Sequence, residues 1–282
     1  MKELHEQLLE ISTPSGSIVR GDVRWESDNH PHKRPLVIVC HGFRAFKDWG
    51  PFPEIGRFFA RNGFVSFVFN FSYNGIGGEP RKFSEPEKFS VNTFSLDLSD
   101  VESILSAADR GALGKLADLS RIGIVGHSRG GGIAIIKGKE EERIKAVAAW
   151  SSVAYFNRYT DEQKKRWREK GFVQLSSTSP SNFFRVKTDL LDDLEIHSKR
   201  LNIIEAAEHL QKPLLIVHGS ADIPVRLEEA RRLFEASDKT LTEFIVIDGA
   251  SHMYGAKHPY KKESTDMIRV LELTSSWFHK HL

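Results

Sequence analysis

The chain has 282 residues, of which 40% are hydrophobic and 28% charged, with 40 basic and 38 acidic side chains and a formal net charge of +2. That length holds one full-size domain, or one domain with an insertion, around a large core, and the composition is that of an ordinary globular protein. Basic residues are scattered instead of gathered on a tail or face, which argues against nucleic acid as a partner, and no apolar run approaches the roughly 20 residues that span a bilayer.

The N-terminus, Met1-Lys2-Glu3-Leu4-His5-Glu6, lacks the apolar stretch and cleavage site of a signal peptide, so a cytoplasmic location is expected. Gln7 to Ser12 and Ile18 to Trp25 flank a Pro14-Ser15-Gly16 turn and predict an opening antiparallel hairpin. Apolar runs then predict buried parallel strands at Leu36 to Cys40, Phe64 to Phe71, Arg121 to Val125, Ala146 to Ser151, Leu214 to Val217 and Glu243 to Ile247. Helical patterns alternate with them at Phe52 to Asn62, Val91 to Asp109, Gly130 to Lys139, Arg226 to Ala236 and Lys262 to His281, and Gly63 suits a helix C-terminus. Cys40, alone of its kind, ends an apolar run and is expected to be a core residue.

Alternating strands and helices imply βαβ units and a mostly parallel sheet with helices on both faces. The rhythm breaks between Val153 and Ala207, which carries no convincing strand but holds Tyr155, Phe156, Tyr159, Trp167, Phe172, Phe183 and Phe184. So long an interruption is usually functional, and so many aromatics argue against disorder. The expected organisation is a core of residues 1–152 and 208–282 with a small helical cap insertion at 153–207.

The sharpest motif is Gly126-His127-Ser128-Arg129-Gly130-Gly131-Gly132, directly after a predicted strand and opening a predicted helix. A G-x-S-x-G string arises by chance in roughly one chain in ten of this length, so the strand–turn–helix context decides. A phosphate-binding loop is excluded, because neither a closing Lys-Ser/Thr pair nor G-x-G-x-x-G is present. Ser128 is thus the candidate nucleophile. A serine hydroxyl needs a base within hydrogen-bond reach, and His252, just past the last predicted strand, is the candidate. Asp222 in His218-Gly219-Ser220-Ala221-Asp222 follows the preceding strand and is expected to orient that imidazole. Asp248 lies nearer in sequence but ends a strand, where a turn role suits it better. For an oxyanion hole the backbone amides of Arg129 and Phe43 are the candidates, the latter in His41-Gly42-Phe43-Arg44.

With these pieces in order, the chain from about Leu8 onward resembles the α/β-hydrolase superfamily. It is most similar to the branch of dienelactone hydrolase-like proteins, feruloyl and cinnamoyl esterases, and prolyl oligopeptidase-type catalytic domains. The resemblance implies an α/β-hydrolase fold and a serine hydrolase acting through an acyl-enzyme, without metal or organic cofactor. Dienelactone hydrolase uses a cysteine nucleophile, and prolyl oligopeptidases carry a propeller for which this chain has no room. A carboxylesterase is therefore expected, with a serine aminopeptidase, an acylpeptide-type peptidase or a thioesterase as alternatives. A non-catalytic ligand-binding protein is the reading from another class. Its partner is expected to be a small-molecule ester, with neither nucleic acid nor membrane involved; a homodimer is compatible. Activity should rise through pH of roughly 6–7, as a neutral imidazole requires.

The expected substrate-binding aromatics are Phe46, Trp49, Tyr155, Phe156 and Trp167, beside Phe43, and they favour an apolar or aromatic acyl or alcohol group. Tyr73 and Asn74 follow a strand and could reach the same edge. A peptidase would need an acidic group for a substrate amine, for which Glu162, Asp192 and Asp193 come into question. The run Lys164 to Lys170 reads as a solvated cap helix with Trp167 inward. The pairs His30/His32 and His279/His281 read as surface residues, not metal ligands, and His258-Pro259 as shaping a loop.

Overall fold

A computed structural model describes residues 3–27, 32–175 and 184–282. In chain order the elements are β1 (Glu3–Ser12), β2 (Ile18–Ser27), β3 (Arg34–Cys40), α1 (Phe52–Arg61), β4 (Val65–Asn70), α2 (Pro86–Ser90), α3 (Phe94–Asp109), β5 (Ala117–His127), α4 (Arg129–Glu140), β6 (Ile144–Trp150), α5 (Asp161–Lys170), β7 (Phe172–Leu175), β8 (Phe184–Lys187), α6 (Asp189–Ile196), α7 (Ile203–Glu208), β9 (Leu214–Gly219), α8 (Leu227–Ala236), β10 (Thr242–Ile247) and α9 (Thr265–His281).

The main sheet has eight strands in the order β1-β2-β4-β3-β5-β6-β9-β10. β2 runs antiparallel to both β1 and β4, and every pair from β4 through β10 is parallel. This is the α/β-hydrolase fold expected from the sequence. Alternation along β3 shows why both faces are covered. Leu36, Ile38 and Cys40 enter one apolar core, while Val37 and Val39 enter a second on the opposite face with Phe52, Phe59, Phe64, Trp277 and Phe278. A strand buried on both sides must be apolar throughout, hence the continuous run.

The chain passes from β3 to β4 on one side and then crosses back to place β5 on the other. The carboxyl ends of β3 and β5 thus diverge at a topological switch point, where open α/β sheets form their ligand crevices. Gly42 follows β3 and Ser128 follows β5, so the fold brings the two candidate loops together.

The α3 helix begins three residues later than the periodicity suggests, because the Thr93 side chain accepts a hydrogen bond from Leu96 N–H and so caps it. Between β6 and β9 lie α5, β7, β8, α6 and α7. The expectation of a strand-free stretch is corrected by the antiparallel pair β7–β8, in which Phe172 lies opposite Lys187 and Leu175 opposite Phe184. Strands of four residues are too short for a period of two to stand out. The α5 helix opens on a Thr160/Gln163 capping box, ends at Gly171 with φ 78°, and buries Trp167 alone. Its indole Nε1 donates to the Val186 carbonyl at 2.9 Å, tying α5 to β8. His30 and Phe183 lie outside the described residues. Among those described, no helix is long and apolar enough to cross a membrane.

Candidate active site

Ser128 occupies the turn between β5 and α4 with φ 56° and ψ −118°, a conformation disfavoured for a side-chain-bearing residue. The turn closes because its neighbours are glycines. A Cβ on Gly126 would lie 2.0 Å from the Gly130 carbonyl oxygen, and one on Gly130 would lie 2.5 Å from that of Cys40. Any side chain at either position would force the elbow open. Its own amide is tied to the Trp150 carbonyl at 2.9 Å, which fixes the strained residue between β5 and β6.

The candidate oxyanion loop lies against this elbow. A Cβ on Gly42 would come within 3.2 Å of Ser128 Cβ. His41 is buried and holds the loop from behind: Nδ1 donates to the Gly42 carbonyl at 2.8 Å, and Nε2 accepts from Phe71 N–H at 3.3 Å. Burial lowers its pKa to about 4, aided by the nearby Arg129 charge and opposed by the Gly42 hydrogen bond, so the ring is neutral. Among the described residues neither the Phe43 nor the Arg129 amide donates a hydrogen bond. Arg129 is the first residue of α4, where a helix leaves N–H groups unpaired and favours negative charge.

His252 and Asp222 come from loops after β10 and β9. His252 Nδ1 faces Asp222 Oδ2 at 2.8 Å. The other carboxylate oxygen of Asp222 accepts from Val225 N–H at 3.0 Å. Burial opposes the charge on Asp222, yet the bonds from His252 and Val225 hold its pKa below the usual carboxylate range. His218, fully buried, donates from Nε2 to the Val225 carbonyl at 2.8 Å and so braces the same loop. His127 Nε2 donates to the His252 carbonyl at 2.8 Å, with the rings 4.6 Å apart, so the His252 loop is tied to the residue before Ser128. The Ser128 hydroxyl and the His252 ring are not hydrogen-bonded to each other, and bonds of this kind commonly tighten only in the complex with substrate. Asp248 instead accepts from Ser220 Oγ at 2.9 Å, a turn contact.

Ser128 opens into a cavity of about 190 Å³ lined by Phe43, Phe94, Arg129, Val153, Tyr155, Phe156, Arg158, Tyr159, Leu190, Pro224 and Val225. Phe94 and Phe156 stack with centroids 4.0 Å apart. Tyr155 and Phe156 therefore line it. Phe46, Trp49 and Trp167 do not, contrary to their expected place in its wall. Trp49 stacks on His258 at 5.6 Å and Phe46 meets the same ring edge-on at 5.8 Å. Trp167 is packed beneath Tyr159 at 5.1 Å. His258 lies more than 200 residues beyond Phe46 and Trp49, so composition alone could not tell wall from support for those two. Asn74 is buried beside His41, and Tyr73 does not line the cavity. Phe94, Arg158, Tyr159 and Leu190 escaped sequence reasoning, and no local motif marks them.

Two arginines line this otherwise apolar space, and both are paired. Arg129 Nε donates to Asp97 at 2.8 Å while its guanidinium lies 4.3 Å from the Phe94 ring. Arg158 donates to Glu229 at 2.7 Å and to the Pro224 carbonyl at 3.2 Å. None of the acidic residues considered for a substrate amine faces the cavity. Glu162 pairs with Arg166, Asp192 with Arg168, and Asp193 accepts from the Phe94 and Ser95 amides at the start of α3.

One turn along α3, Asp100 accepts from Ser72 N–H at 2.7 Å and pairs with Ser72 Oγ at 2.8 Å. Burial, reinforced by Asp97 and opposed by Ser72, pushes its carboxyl up to about 8. A carboxyl raised from about 3.9 in the unfolded chain contributes stability below that pH and loses it as pH rises toward about 8. Asp100→Asn, uncharged throughout, is expected to lose less stability than wild type between pH 5 and pH 8.5 in denaturant titrations. Parallel losses in the two proteins would show that Asp100 keeps its charge.

The prolyl oligopeptidase family matches residues 56–282 of the chain. An uncharacterized 31.7 kDa protein from the traX-finO intergenic region of Escherichia coli is 23% identical over 89% of this chain and 92% of its own. The uncharacterized peptidase YuxL of Bacillus subtilis is 26% identical over 58% of this chain and 23% of its own. Among solved structures, ferulic acid-bound Est1E from Butyrivibrio proteoclasticus superposes with a TM-score of 0.72 at 18% identity, covering 97% of this chain and 98% of that one. At that identity the likeness speaks for the fold alone.

Proposed function

The chain belongs to the prolyl oligopeptidase family, and from that premise we propose a serine hydrolase that cleaves carboxylic esters through an acyl-enzyme on Ser128. The observation that carries the reading is the Asp222–His252 hydrogen bond at the sheet edge where the strained Ser128 elbow opens into an apolar cavity.

In the proposed mechanism His252 Nε2 takes the Ser128 proton as Oγ attacks the substrate carbonyl. The amides of Phe43 and Arg129 receive the oxyanion at the α4 N-terminus. The imidazolium, stabilised by Asp222, then gives its proton to the leaving alcohol, and a water repeats the sequence to release the acid. His41 and His127 are held neutral by burial, with pKa values lowered to about 4 and about 3, and a neutral His127, its ring 4.6 Å from that of His252, places no second positive charge beside the imidazolium.

We read residues 153–207 as a cap, a reading supported by Val153, Tyr155, Phe156, Arg158, Tyr159 and Leu190 all lining the cavity over Ser128. The family also supports a peptidase as the second reading. An aminopeptidase is disfavoured, because Glu162, Asp192 and Asp193 are all engaged away from the cavity.

The cavity of about 190 Å³ is mostly walled by apolar and aromatic side chains and is of a size to take a medium-length acyl chain. Among p-nitrophenyl esters, kcat/KM should therefore peak at acyl chains of about four to eight carbons and fall by decanoate. Turnover of aminoacyl p-nitroanilides with negligible ester hydrolysis would replace the esterase with the peptidase.

A further inference from the structure

The two amides assigned to the oxyanion hole belong to different segments, and one ion pair reaches both. Arg129 carries the first amide. Its guanidinium lies within cation–π reach of the ring of Phe43, which carries the second, at 5.6 Å, and of the Phe94 ring at 4.3 Å. Nε donates to Asp97 Oδ2 at 2.8 Å, and Nη2 stands 2.6 Å from the same oxygen. Both side chains of this pair are buried. Phe94 and Asp97 lie three residues apart on α3, so one face of that helix meets the guanidinium with a ring and a carboxylate. The Phe94 ring is itself held by Phe156 at 4.0 Å.

The Phe43 side of the hole needs an anchor. Its ring is exposed, and among the described residues its ring contacts are with Phe89, at 5.8 Å, and Arg129. The next residue, Arg44, has φ 62°, a conformation that persists only where the surroundings over-determine it. Burial, opposed by Arg129, raises the Asp97 carboxyl to about 6, so the pair is ionic at neutral pH. Without the carboxylate, Arg129 would be a buried and unpaired cation beside the cavity it lines, free to leave the Phe43 ring.

We propose that Asp97 is a positioning residue for the oxyanion hole: by holding the Arg129 guanidinium against the Phe43 ring, it fixes the two amides relative to each other. Asp97 does not line the cavity and acts only through Arg129. The inference rests on the serine hydrolase reading above.

Misplacement of a catalytic group by about 1 Å costs about 100-fold in rate, and such donors act on charge that develops in the transition state. On a p-nitrophenyl ester, Asp97→Asn should therefore lower kcat about 10–100-fold and leave KM within about threefold. Inhibition by butylboronic acid, whose serine adduct bears a tetrahedral anion, should weaken in step with kcat. Asp97→Asn also strands a buried charge and should lower the thermal midpoint. The double variant Asp97→Asn/Arg129→Gln removes both charges and keeps the Arg129 amide, so it should regain the midpoint but not kcat. A kcat that returns with the midpoint in the double variant overturns the proposal, as does wild-type kcat or undiminished boronate affinity in Asp97→Asn. Failure of wild type to hydrolyse any p-nitrophenyl ester, or hydrolysis that persists in Ser128→Ala, overturns the underlying reading and this one with it.

Discussion

Exchange of Ser128 for alanine is expected to lower kcat on any ester the wild type turns over by about 10⁴–10⁶-fold, the range found when a member of a Ser-His-Asp unit is removed. The expectation follows from the elbow. Ser128 sits at φ 56° because the glycines around it allow the close approach of β5, α4 and the β3 end, and its hydroxyl is thereby presented to the cavity. Alanine accepts the same backbone and leaves the flanking glycine contacts untouched, so folding should be kept while the nucleophile is lost. Steady-state rates together with the thermal midpoint check both halves. A loss of less than about tenfold with an unchanged midpoint would mean that the elbow serves some other purpose.

Asp222→Asn should cost about 10⁴-fold in kcat with little change in stability. The amide oxygen can keep the bond from Val225 N–H, so the loop braced by His218 stays in place. The amide nitrogen, however, donates where the carboxylate accepted. It selects the His252 tautomer with its proton on Nε2, which cannot receive the serine proton. Asp248→Asn is the control: that carboxylate bonds Ser220 Oγ, not His252, and its removal should leave kcat within a few-fold of wild type. Comparable losses in the two variants would contradict the assignment of Asp222.

The sequence discloses this site unevenly, for physical reasons. Ser128, Asp222 and His252 each follow an apolar strand run, and parallel strands bring those carboxyl ends to one edge, so their convergence is implied by spacing. The Gly126 and Gly130 positions are legible for the same reason, since a close approach leaves a residue-type signature. The cavity wall leaves none. Phe46 and Trp49 read as wall residues by their nearness to Phe43, but His258, more than 200 residues on, draws both rings away. Phe94 and Arg129 meet only because α3 and α4 pack together, a contact that no sequence pattern records. Periodicity likewise found the long elements and missed β7 and β8, too short to show a period.

The most direct test is the mass of the protein after treatment with a fluorophosphonate, which phosphonylates an activated serine with loss of fluoride. One adduct, mapped to the peptide that holds Ser128 and absent from Ser128→Ala, is the predicted result. An unlabelled wild type, or an adduct that persists in Ser128→Ala, would contradict the central claim.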